Sequence, residues 1–240
     1  MDTTADDAVR KALFGRYADP DFTELELAAL DWLDGFYQLE HLLAARDWAI
    51  QLAGKASFEL KFAALTHDAE RFFPGGPSDK PQAGFDNPDY LFAHSIRSAN
   101  IVGEWLTQRN VPLEDSFKRR VRALILRHEI GGNGEEDILQ AADSLAFLST
   151  FDWLVVAWVK GGHYSVAGAR EKLDWMMTRI RVQEATRLAL PIYADIVKAL
   201  EEPERLTIDL DERRALAGNR AFLLGEVEDP ATEVDASETA

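Results

Sequence analysis

Residues 57–73 read SFELKFAALTHDAERFF. Ser57 has the chemistry of a helix N-cap, Glu59 follows in the first turn, and apolar side chains recur at helical spacing. The run ends at Pro74-Gly75-Gly76-Pro77, which stops a helix. Within it, His67 and Asp68 stand side by side among Ala and Leu. A histidine next to an acid on an apolar helix is costly to bury unless both are paired or hold a metal. On a continuous helix they would lie about 100° apart, close enough to reach one cavity.

Working outward, the pattern stays helical, with Ala, Leu, Glu and Arg dominant. Residues 22–55 carry apolar positions at i, i+3, i+4 and i+7, as two helices or one long one ending near Gly54. Helices are expected at about 90–109, 114–128 and 135–151, then a short buried one at 153–160, with Gly131-Gly132 as a break. Two more follow at about 165–182 and 184–201, the last kinked at Pro191. Four prolines and three glycines make 74–89 a loop, long enough to suggest function or motion. LTIDLDE at 206–212 alternates like a short strand or extended arm. The segment 226–240 holds six acids and no basic or aromatic residue, the composition of a disordered tail. The expectation is an all-α bundle of about eight helices in a single domain over 1–225. Its core spans about 30–150, its C-terminal helices 151–202 and an extended segment 203–225.

Composition removes several functions. The 240 residues contain no cysteine, which excludes disulfides, thiolate zinc sites and a cysteine nucleophile. With 26 basic and 42 acidic residues the formal charge is −16, unfavourable for polymeric nucleic acid or an anionic membrane surface. No apolar run reaches the roughly 18 residues of a bilayer span, and the N-terminus lacks signal-peptide features, so a cytoplasmic location is expected.

Of five histidines, His41, His67, His94 and His128 fall on or beside apolar helix faces, and Asp143 interrupts one in LQAADSLAFL. His163 follows two glycines and reads as an exposed loop residue. Taken singly, each buried histidine is more often a satisfied core residue. Together they form a nitrogen–oxygen donor set suited to Mn, Fe, Co, Zn, Ni or Mg. Six donors exceed the need of one open site and suit one or two divalent ions, a pair lying about 3.5–4 Å apart.

The order His41, His67-Asp68, His94, His128, Asp143, with gaps of 26, 27, 34 and 15 residues, resembles the HD superfamily of metal-dependent phosphohydrolases over about 30–150. The segments AALTHDAER, AHSIRSANIV, RHEIGG and ILQAADSLAFL are similar to those around the family's ligands. The resemblance implies one ion held by His41, His67, Asp68 and Asp143, and another by Asp68, His94 and His128. Asp68 would bridge the two, and a bridging hydroxide would attack phosphorus. It places Arg71, three residues past Asp68, where relatives carry a basic residue that grips phosphate. Arg97, Arg127 and Lys160 are further candidates for binding it. The basic residue often found three positions after the first histidine is Ala44 here, with Arg46 nearby, and the cyclic-dinucleotide phosphodiesterase signature is absent after His128. The function implied is hydrolysis of a small phosphorylated molecule, a nucleotide for preference, with a homodimer left open. The same ligand set is similar to mixed-valent di-iron oxygenases of the superfamily, and a non-catalytic sensing role is the third alternative.

Overall fold

Local chemistry sets where the helices begin. Thr23 forms a reciprocal capping box with Glu26, the Ser57 hydroxyl accepts from the Leu60 amide, and Asn87 accepts from the Tyr90 amide with Pro88 in the first turn. Ser165 caps a later helix in the same way. The computed structural model describes residues 22–79, 85–109 and 112–205, and every α-helix or 3₁₀ turn discussed lies there. The helices are α1 Glu24–Trp32, α2 Leu39–Ala53, α3 Phe58–Thr66, α4 Pro88–Gln108, α5 Asp115–Arg127, α6 Glu135–Thr150, α7 Asp152–Lys160, α8 Val166–Thr178 and α9 Gln183–Glu201. Short 3₁₀ turns lie at Ala69–Phe72, Pro77–Asp79 and Pro203–Arg205. The protein is an all-α bundle, with nine α-helices among the described residues. Residues 206–212 and 226–240, read as a strand or arm and a tail, lie outside them.

Of the two arrangements the sequence left open for residues 22–55, the structure has two helices, separated by a turn in which Gly35 takes φ 82°, a conformation open to glycine. One detail departs from the sequence reading. The expected continuous helix through His67 and Asp68 stops at Thr66. The His67 ring Nδ1 donates to the Ala64 carbonyl at 2.8 Å, beside the helix end, and Asp68 turns to φ −98°, ψ 17° before the 3₁₀ turn begins. Arg71, within that turn, folds back so that its Nε donates to Asp68 Oδ2 at 3.0 Å. α9 continues through Pro191.

The core forms around the packing of α2 on α6. One apolar cluster fills the space among α1–α5 and the start of α6, and a second fills that among α6–α9. Ala44, Ala45 and Ala146 meet where α2 and α6 approach, and Trp48 packs against all three groups. Ala44 is buried there, in close-packed surroundings that leave no room for a long basic side chain. Arg46 is sequestered on the other side, where its Nε donates to Glu26 Oε1 at 2.6 Å. Glu26 and Arg46 are 0% and 1% exposed, so removal of either breaks a fully buried ion pair. Glu26→Ala should cost about 3–5 kcal/mol in a urea titration, and the double change Glu26→Leu, Arg46→Met should recover most of it.

Candidate metal centre

Five consecutive elements each deliver part of the cluster. His41 comes from the first turn of α2, His67 from the cap of α3, His94 from the second turn of α4, His128 from the cap of α5 and Asp143 from the middle of α6. Asp68 opens the 3₁₀ turn after α3. All six are buried, and their donor atoms converge. His41 Nε2 lies 3.3 Å from His67 Nε2 and 3.2 Å from Asp143 Oδ1, and His67 Nε2 lies 3.4 Å from the same oxygen. Two ligands each about 2.0–2.2 Å from one ion, at tetrahedral or octahedral angles, are themselves about 3–3.5 Å apart.

Asp68 faces two ways. Its Oδ1 lies 2.8 Å from His94 Nε2 and 3.7 Å from His128 Nε2, while Oδ2 lies 3.9 Å from His41 Nε2 and accepts from Arg71 Nε at 3.0 Å. Two groups with mutually close donor atoms, His41–His67–Asp68 and Asp68–His94–His128, therefore share one carboxylate, and a third joins His128, Glu129 and Asp143.

The outer partners fix which ring nitrogen faces inward. His67 and His128 donate from Nδ1 to the carbonyls of Ala64 and Ile125, at 2.8 and 2.7 Å, each three residues back at a helix end. Carbonyls only accept, so both Nδ1 atoms carry hydrogen, and in the neutral rings each Nε2 presents a lone pair to the carboxylates. His128 Nε2 is buried with no hydrogen-bond partner. A lone pair aimed at a carboxylate oxygen is stabilised by a cation between them. This donor set fits a divalent metal, and the histidine–carboxylate chemistry leaves its identity open among the first-row ions and Mg. His94 donates from Nδ1 to Glu70 Oε2 at 2.6 Å. Glu70 also accepts from the Ser78 hydroxyl, and the Glu70 amide donates to Ser98 Oγ. Gly76 covers this pair closely, since a Cβ there would fall 1.8 Å from Glu70 Oε1. His41 is held differently: its ring stacks on Phe151 at 5.4 Å, and its Nδ1 has no acceptor.

Without a cation the cluster retains protons. Burial opposes charge on His67, but Asp68 and Asp143 outweigh it and push its pKa up to about 9. Burial also opposes ionisation of Asp68 and Asp143. Arg71 with His67 and His94 holds Asp68 well below the carboxylate range, and Arg179 with His41 and His67 does the same for Asp143. Glu129, paired with Arg179, is lowered too.

His41, Asp68 and Asp143, with Glu129, form the floor of a cavity of about 630 Å³. Arg71 lines it, donating from Nη1 to Tyr90 OH at 3.0 Å and Ser78 Oγ at 3.3 Å. The other proposed phosphate contacts lie elsewhere. Arg97 binds the carbonyls of Phe73 and Pro74 and braces Glu70, while Arg127 and Lys160 are exposed, and none of the three lines the cavity. His163 is exposed beyond α7. Sequence reading passed over Glu70, Glu129, Lys172 and Arg179. Glu70 and Glu129 lay inside AALTHDAER and RHEIGG, and a search for acids beside the histidines would have found them. Arg179, which donates to Asp143, Glu129 and Ser144, gave no local signal.

No family model, curated protein or solved structure matches this chain.

Asp68→Ala should abolish retention of metal at both groups, measured by elemental analysis after gel filtration, whereas His163→Ala should match the parent. Glu70→Gln should weaken binding about 10–100-fold by loosening His94. Loading the chelator-stripped protein should release protons, so apparent affinity rises with pH until His67 has lost its proton near pH 9.

Proposed function

We propose that this chain is a metal-dependent phosphohydrolase of the HD type, acting on a small phosphorylated molecule and most readily a nucleotide. One observation carries the reading: Asp68 is shared between two histidine groups at the floor of a cavity, with the Arg71 guanidinium on its outer oxygen. Divalent ions held there would lower the pKa of a coordinated water and neutralise phosphoryl oxygens.

The chain's own residues do the rest. Asp68, His41, His67 and Asp143 serve one position, and Asp68, His94 and His128 the other. Arg71 is anchored through Nε and Nη1, which leaves Nη2 for a substrate oxygen; a guanidinium held by three partners loses little entropy when it binds. Tyr37, Tyr90, Phe147, Phe151 and Trp158 wall the cavity, enough aromatic surface for a base or another flat group. The acidic exterior slows anion approach without governing the last few ångströms, where ions and Arg71 set the local field.

The test is purification with and without air, metal analysis, and a phosphate-release screen over nucleotides and phosphomonoesters with Mn²⁺, Co²⁺ and Mg²⁺. Oxygen uptake without phosphate release would move the chain to the oxygenase reading; metal binding with neither would leave a sensing role. With the best substrate, Arg71→Ala should keep the metal and lose about tenfold or more in kcat/KM, about 1.4 kcal/mol of transition-state stabilisation. Arg71→Lys should recover part of that, since an ammonium cannot reproduce the guanidinium fork.

A further inference from the structure

Helix α8 presents a stripe to the cavity that the metal chemistry does not use. Gly168, Lys172, Trp175 and Arg179 recur at i, i+4, i+7 and i+11, and all four line the cavity wall. The two cations on this stripe differ in their partners. Arg179 is neutralised by Asp143 and Glu129. Lys172 has no carboxylate within ion-pair distance among the described residues. Its Nζ sits 4.7 Å from the ring centre of Trp175, 4.9 Å from that of Phe85 and 5.2 Å from that of Phe147.

Three aromatic faces attract an ammonium but do not neutralise it. The two α8 cations also share a ring, for Arg179 lies 4.6 Å from the centre of Trp175. Contacts thus run without a gap from Asp143 in the metal centre through Arg179 and Trp175 to Lys172. Glu171, the neighbouring acid on the cavity wall, is exposed and forms no ion pair with Lys172 among the described residues.

Resting on the phosphohydrolase reading, we infer that Lys172, boxed by Phe85, Phe147 and Trp175, is a specificity-determining anchor for a second anionic group on the substrate, a carboxylate or a second phosphate. Among the described residues its ammonium is the cavity-lining cation with no carboxylate at ion-pair distance, and Trp175 separates it from Arg179. Burial, with the nearby Arg179 charge, lowers its pKa to about 7, while Glu129 and Asp143 oppose that shift from a distance. An anion at the box favours the charged form and replaces the water that the aromatic walls exclude.

The experiment compares metal-loaded parent, Lys172→Met and Lys172→Arg. A graded series of ω-carboxyalkyl phosphonates and alkane bisphosphonates is titrated by calorimetry beside alkyl phosphonates of equal length. Phosphonates lack the scissile ester, so binding is read apart from turnover; the matching phosphate esters are then assayed for phosphate release. The parent should bind the best doubly anionic probe at least tenfold more tightly than its alkyl counterpart, about 1.4 kcal/mol. Lys172→Met should bring that ratio close to one, and Lys172→Arg should retain a clear part of it. Which series shows the larger ratio identifies carboxylate or phosphate as the second group. Equal binding of both probe types by the parent, or a preference that survives in Lys172→Met, would overturn the assignment. A preference for doubly anionic phosphonates with no phosphate released from any ester would instead sink the phosphohydrolase reading and leave the Lys172 anchor standing.

Discussion

The buried carboxylate of Asp68 is the constraint on which the site depends. One oxygen faces His94 and His128, and the other faces His41 and Arg71. A carboxylate this deep stays ionised only with positive charge beside it, because burial alone favours its neutral, protonated form. Each surrounding element therefore supplies part of the compensation. The break after Thr66 aims Asp68 inward, and Arg71 in the 3₁₀ turn folds back onto it. α4 and the end of α5 bring histidines from the opposite side.

The same economy repeats at the helix ends. α3 and α5 both finish at a histidine whose Nδ1 bonds to the carbonyl three residues back. That one contact satisfies a backbone acceptor at the helix end and fixes the tautomer that turns Nε2 toward the cluster. His67 itself keeps helical backbone angles, and it is Asp68, at φ −98°, ψ 17°, that leaves the helical path. Helix termination and the assembly of the centre are here one event.

The two apolar cores have distinct tasks. The core among α1–α5 clamps the histidine-bearing elements around Asp68, whereas that among α6–α9 supports the cavity wall. α6 belongs to both, and it carries Asp143 between them. The Arg179 contact to Asp143 joins the wall to the floor, so the cavity-lining residues of α8 and the donor set on α2–α6 are held in one frame.

The helical class was legible in the sequence because apolar spacing, caps and glycine–proline breaks are local properties, and Ser57 is such a cap in the structure. The six donor positions were legible because histidines are few here and a polar residue on an apolar helix face is conspicuous without knowledge of its neighbours. Their convergence was not, since it depends on how five elements pack. Nor was the stop at Thr66, which rests on a side-chain bond replacing the next turn of helix. Arg97 and Arg127 looked suited to phosphate from their place beside His94 and His128, and Lys160 as a residue reaching in from a later loop, but which way a helix faces is decided by its packing, and none of the three lines the cavity. Lys172 and Arg179 lie well over a hundred residues after His41, and only the folding of α8 across α6 brings them over the metal centre. The sequence by itself determined the helices and the inventory of donors; the tertiary structure decided which charges meet, because electrostatic partnership is set by distance in space and not along the chain.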